Sequence, residues 1–203
     1  MFDAHLRPTI DPPLNFIGKK LSRMQITANM VTLFGFAIGI ISMFMIISHN
    51  FIWGFIFLLL NRLCDGLDGA VARNFPVNNF GGFLDITCDF IVFSGIVFAF
   101  GISDPEKALY SAFLIFSFIG PITSFLAYAI IAAKQNKICN KRGRKSFYYC
   151  GGICEGFETF LALSLLCLLP QHHNIICLIY GLLCWITAFG RCYCAWIDFG
   201  QEA

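Results

Sequence analysis

The sequence predicts an all-α, polytopic membrane protein: six transmembrane helices preceded by an N-terminal amphipathic interfacial helix. Three observations predict it. Hydrophobic residues fill 58% of the 203 positions and charged residues only 13%, where a soluble domain carries about 25% charged residues. Mean hydropathy is +0.73. Apolar stretches recur at the ~20-residue length that a bilayer-crossing helix needs, which excludes a soluble globule.

The elements follow in chain order. Asp11 is placed to cap a helix over 11–24 with Pro12 at its first position. Leu14, Ile17, Leu21 and Met24 recur at helical spacing, with Lys19, Lys20 and Arg23 off that stripe. Such a helix lies on the cytoplasmic membrane surface. Apolar spans are then expected at about 28–48, 51–73, 80–101, 108–133, 147–169 and 174–198. The short break at His49-Asn50 makes the first two spans a tight hairpin. Asp104-Pro105-Glu106, the basic loop 134–146 and Pro170-Gln171-His172-His173 separate the later ones. The length suits one domain over 1–203, and no signal peptide is read in the first 25 residues.

Lysine and arginine set the expected orientation. Arg7, Lys19, Lys20 and Arg23 precede the first span; Lys134, Lys137, Lys141, Arg142, Arg144 and Lys145 fill the loop after the fourth. By the positive-inside rule both termini and the 74–79 and 134–146 loops are cytoplasmic. That pattern suits a bacterial-type inner membrane with membrane lipids as surroundings, and no nucleic-acid partner is expected. The ten cysteines lie mostly in apolar runs without zinc-type spacing, so they read as small buried apolar residues.

Four aspartates stand inside this apolar sequence: Asp65, Asp68, Asp85 and Asp89. One carboxylate in a membrane costs roughly 2.5–3.5 kcal/mol even on lenient scales, and four together also repel. Asp65 and Asp68 are three apart, and Asp85 and Asp89 four apart, so each pair shares a helix face. The short 74–79 connection makes the two helices antiparallel neighbours with the pairs facing. All-oxygen ligands suit Mg²⁺ or Mn²⁺, and four carboxylates suffice for two ions. Gly66 and Gly69 leave room for a large ligand near the backbone, the helix start at Gly81-Gly82 favours anions, and Arg73 suits a phosphate.

The pattern Asp65-x-x-Asp68-Gly69-x-x-Ala72-Arg73, spacer, Gly81-x-x-x-Asp85-x-x-x-Asp89 resembles the motif of the CDP-alcohol phosphatidyltransferases. Every defining residue is present, with a spacer one residue shorter than usual. Thr27-Ala28-Asn29 is similar to the Thr-Pro-Asn often found where the family's first span begins. The resemblance implies transfer of a substituted phosphate from a CDP-linked lipid donor, CDP-diacylglycerol, to a small alcohol with release of CMP. It implies that Asp65, Asp68, Asp85 and Asp89 hold two metal ions and that Asp89 is the general base. It places Asp68, Gly69, Ala72, Arg73, Asn79, Gly81, Thr27 and Asn29 around the cytidine diphosphate, and it implies a homodimer.

The acceptor side is less marked. Counted at ~1.5 Å per residue from Phe147, Glu155 and Glu158 lie about as deep as Asp65. With Arg191 they are acceptor-site candidates, as are Arg144 and Lys145. The carboxylates would suit a polyol or a cationic alcohol, and the basic residues a phosphorylated one. A glycerol-type acceptor such as glycerol 3-phosphate is favoured over inositol phosphate, serine or choline. Two rival classes are intramembrane prenyltransferases and divalent-cation transporters. The former usually carry their aspartate motifs on distant helices, and a cation path gains nothing from Arg73.

Overall fold

The computed structural model of the chain describes residues 3–134 and 152–200, with side chains from residue 11 onward. Everything described is helical or connects helices: α1 (Asp3–Arg23), α2 (Ala28–Ile47), α3 (Phe51–Ala72), α4 (Asn79–Ser103), α5 (Pro105–Lys134), α6 (Gly156–Leu168), a 3₁₀ turn (Pro170–His172) and α7 (His173–Phe199). Four of these, α2, α4, α5 and the Pro170–Phe199 unit, are long and apolar enough to cross a membrane. Together with the relatives reported below, they make this an integral membrane protein.

Three of the helix starts have a local cause in a side-chain cap. Thr27 Oγ1 accepts the Met30 N–H at 3.4 Å and caps α2, and Asn78 Oδ1 accepts the Phe80 N–H at 3.0 Å and caps α4. Asp104 accepts the Glu106 N–H at 3.0 Å just before Pro105 opens α5. That hydrogen bond, aided by Lys107 at 3.4 Å, holds the Asp104 carboxyl below the usual carboxylate range. α2 ends in a Schellman turn: Asn50 N–H reaches Met45 O at 2.8 Å, with His49 left-handed at φ 58°.

Tight helix crossings fix the frame. Ser42 on α2 donates to Gly54 O of α3 at 2.7 Å. A Cβ on Gly54 would stand 2.6 Å from Ile46, so the hairpin needs glycine there. Phe100, Leu114, Leu163 and Leu166 are fully buried in one core cluster shared by α4, α5, α6 and α7, alongside Cys167 and Cys177. Five of the eight described cysteines are buried, in keeping with their reading as small apolar residues.

Two boundaries differ from the sequence expectation. α1 starts at Asp3 and runs through Asp11-Pro12-Pro13, so Asp11 does not begin it; each proline keeps a helical φ but gives up a backbone hydrogen bond and crowds the carbonyl four residues back. Its packed face centres on buried Gly18, with Leu14 and Leu21 half-buried, while Ile17 and Met24 are exposed. Of the span expected over 147–169, residues 147–151 lie outside the described part. Residues 152–155 are not helical, and α6 begins at Gly156. Glu155 and Glu158 therefore belong to a helix start, and a depth counted along a continuous helix from Phe147 does not apply to them.

Candidate active site

The 74–79 connection joins α3 to α4, α2 packs against both, and side chains from the end of α3 and the start of α4 face one cleft. This brings Asp65, Asp68 and Asp85 together: one carboxylate oxygen from each lies within 4.8 Å of the others. Asp68 is 5% exposed, yet it has a partner, because Thr32 Oγ1 on α2 lies 2.7 Å from its Oδ2. The same hydroxyl lies 3.0 Å from Ala28 O. Its single hydrogen serves one acceptor at a time, and the shorter, charged one is preferred. The three carboxylates and Asp89 line a small cleft together with Thr32 and Asn61.

Asp89 faces a different partner. Arg62, one turn before Asp65 on α3, grips it with two nitrogens: Nη1 donates to Oδ2 at 3.1 Å and Nη2 to Oδ1 at 2.5 Å. Nη1 also stands 3.5 Å from Asp65 Oδ2. The guanidinium lies over the Phe93 ring at 4.6 Å, and Asn61 Oδ1 accepts from its Nε at 3.0 Å. Asn61 in turn donates to Gly35 O of α2 at 2.9 Å. Arg62, Thr32 and Asn61 stand outside the aspartate motif and carry no local signal in the sequence; only the packing of α2, α3 and α4 brings them to the cluster.

The other donor-side candidates gather at the same end. A Cβ on Gly81 would stand 2.9 Å from Asn29 Oδ1, so the starts of α2 and α4 touch there. Arg73 is exposed and donates from Nε and Nη2 to Asn15 Oδ1 at 3.0 and 2.8 Å, tying α3 to α1. Ala72 and Asn79 are exposed as well. The glycines divide. A Cβ on Gly66 would meet Leu14 at 2.9 Å, so that position receives α1 rather than a ligand. Beside Gly69 the nearest atom is Arg73 Nη1 at 3.9 Å, which leaves it open.

The acceptor-side candidates sit at the start of α6. Glu158 Oε2 accepts the Glu155 N–H at 3.2 Å, and Glu155 Oε1 accepts the Gly152 N–H at 3.1 Å. Arg191 on α7 is 5% exposed and donates from Nη1 to Pro121 O of α5 at 2.8 Å. A Cβ on Gly152 would stand 3.0 Å from Arg191 Nη2, so the guanidinium lies against this turn. Arg144 and Lys145 lie outside the described residues. A larger cavity of about 360 Å³, lined by Phe51, Asp104, Lys107 and His173, opens at the opposite end of the helices, away from the aspartates.

Residues 25–191 match the family model of the CDP-alcohol phosphatidyltransferases. The chain belongs to that family. The transferase is 41% identical over 198 residues to the inner membrane protein YnjF of Escherichia coli (strain K12), spanning 97% of this chain and 96% of that one. It is 38% identical to an archaetidylinositol phosphate synthase of Pyrococcus horikoshii over 96 residues, which is 47% of this chain and 51% of the synthase. The crystal structure of a Mycobacterium tuberculosis phosphatidylinositol phosphate synthase with CDP-DAG bound has the same fold. Its TM-score is 0.70 over 90% of this chain and 93% of that one, at 18% identity. The family uses divalent metal ions, and the clustered oxygens of Asp65, Asp68 and Asp85 are a donor set suited to a hard cation.

Proposed function

We propose that this transferase moves a phosphatidyl group from CDP-diacylglycerol to a small alcohol and releases CMP. The observation that carries this is the convergence of Asp65, Asp68 and Asp85 within 4.8 Å beside an open Gly69 and an exposed Arg73. Asp65, Asp68 and Asp85 would hold a divalent ion, Mg²⁺ or Mn²⁺, and Asp89 would border a second. When bound, such an ion supplies Lewis-acid stabilisation of the diphosphate and of the charge that grows on departing CMP.

The chain's own residues do the rest. Gly69 lets the nucleotide approach α3, and Arg73 pairs with its phosphate. Ala72, Asn79, Gly81, Thr27 and Asn29 border the cytidine. The acceptor's hydroxyl oxygen forms the new bond to the phosphatidyl phosphorus while the bond to the CMP oxygen breaks. The hydroxyl proton passes to Asp89, which Arg62 holds in place.

The acceptor proposed is glycerol 3-phosphate or another glycerol-type alcohol, with Glu155, Glu158 and Arg191, and from the loop Arg144 and Lys145, as its contacts. An inositol phosphate acceptor is the second reading, favoured by the names of the archaeal and mycobacterial relatives. In the membrane, α3 joins the four apolar helices as a span, and α6, at 13 residues about 20 Å long, contributes the described part of a sixth in a single domain. α3, at 22 residues, is about 33 Å long, enough to cross. α1 lies on the cytoplasmic surface with Lys19, Lys20 and Arg23 towards anionic lipid. Both termini and the active site face the cytoplasm, and the protein pairs as a homodimer.

The test is purified protein with CDP-diacylglycerol, Mn²⁺ and a panel of glycerol 3-phosphate, glycerol, inositol phosphate, inositol, serine and choline. CMP and product lipid are both measured. Acceptor-dependent CMP release with a new phospholipid is expected. Release of pyrophosphate, or Mn²⁺ flux without CMP, would overturn the reading in favour of a prenyltransferase or a transporter.

A further inference from the structure

Arg62 lies inside the carboxylate cluster, yet it belongs to neither the aspartate motif nor the nucleotide contacts described above. Its side chain is 12% exposed. It is held on several sides: by both oxygens of Asp89, by Asp65 at 3.5 Å, by Asn61 Oδ1 and by the face of Phe93. A guanidinium stays protonated under all ordinary conditions, and Arg forms planar two-pronged pairs that Lys does not. Arg62 is thus a fixed unit cation placed against Asp89, and the open oxygens of Asp65, Asp68 and Asp85 are left to converge on one another.

We propose that Arg62 is a positioning residue that serves as the resident counter-cation of Asp89. The free enzyme then takes one divalent ion tightly, on Asp65, Asp68 and Asp85, and takes a second only together with the anionic donor. The inference rests on the reading of the triad as a metal site. A divalent ion on Asp89 would stand close to the guanidinium where little water screens the repulsion. Four carboxylates and one guanidinium carry a net charge of minus three. One ion leaves minus one, and a second turns the cluster positive. The diphosphate of a CDP-linked donor brings two negative charges, which makes the second ion favourable. Ion and donor then load as a unit, so a second ion does not sit waiting in the empty site.

The experiment counts Mn²⁺ on the purified full-length protein by electron paramagnetic resonance, with and without CDP-diacylglycerol and without acceptor. In the wild type, one tight ion is expected without donor, and the second should bind at least about tenfold tighter once donor is present. R62Q should take its second ion at least tenfold tighter without donor, and R62K should return towards the wild-type count. Two equally tight ions on the donor-free wild type would overturn the proposal, whether or not the variants fold. So would an R62Q protein with an unchanged second affinity. CMP release by the wild type is measured in the same preparation. Its absence would sink the transferase reading, and the ion count still decides the role of Arg62.

Discussion

Thr32 and Asp68, 36 positions apart in sequence, meet at 2.7 Å between α2 and α3. The hydroxyl orients a buried carboxylate whose other oxygen is then available to an ion. Groups that hold a metal ligand in place typically contribute about 10–100-fold in affinity or activity. Thr32→Val keeps the shape and removes the donor, so Mn²⁺ affinity should fall by about that factor. Thr32→Ser should largely restore it. Titration of CMP release against Mn²⁺ measures both; equal affinities in the Val variant and the wild type would remove Thr32 from the site.

Asp85 is the contribution of α4 to the triad. Asp85→Asn should lower CMP release by more than ~100-fold, the upper range for outer partners of a ligand, while the protein still inserts and purifies. A chelator should stop the wild type, and Mg²⁺ or Mn²⁺ should restore it. Full activity of Asp85→Asn would count against ligation by this residue.

The glycines give opposite expectations. Gly18 lies where a Cβ would meet the Ala70 backbone at 2.8 Å, so Gly18→Val should cost about 1–3 kcal/mol through overcrowding. Gly69 is open, and Gly69→Ala inside a helix should raise stability by about 0.4–1 kcal/mol. If the nucleotide approaches α3 here as proposed, the same methyl narrows its path, so KM for the donor should rise. Thermal unfolding beside donor kinetics separates the two effects. A less stable Gly69→Ala with unchanged KM would mean that its openness serves packing.

Glu158 accepts the N–H of Glu155 at the start of α6. Glu158→Ala should cost about 1 kcal/mol for the lost cap, and Glu158→Gln only a few tenths. Glu155→Gln reports on the acceptor: a KM that shifts for one alcohol and not for another marks a contact. A uniform loss across the panel would leave Glu155 with a structural role alone.

The sequence already showed much of this. The apolar runs placed α2, α3, α4, α5 and α7 within about three residues of their observed ends, because a run of that length has few alternatives to a buried or lipid-facing helix. Helical periodicity paired Asp65 with Asp68. The return at 74–79 then predicted Asp85 opposite them. What escaped were relationships set by packing between helices. Nothing within a few residues of Arg62 indicates that it grips Asp89, 27 positions away, or that Thr32 will reach Asp68. The start of the fifth expected span is the other exception, since Phe147-Tyr148-Tyr149-Cys150 reads as apolar while the described residues 152–155 are not helical. The helix instead starts after Glu155, where Glu158 supplies the cap.

The family model begins at residue 25, but α1 lies before it and is wedged into the motif. Leu14 fills the notch at Gly66, Asn15 holds Arg73, and Gly18 rests on Ala70. The boundary drawn by shared ancestry is therefore not the boundary of the catalytic unit. A substitution that displaces Asn15 or Gly18 is therefore expected to shift Arg73 and Ala70 without touching any aspartate. A tag or cleavage site placed there would sit against the motif helix α3 and not on a detached leader.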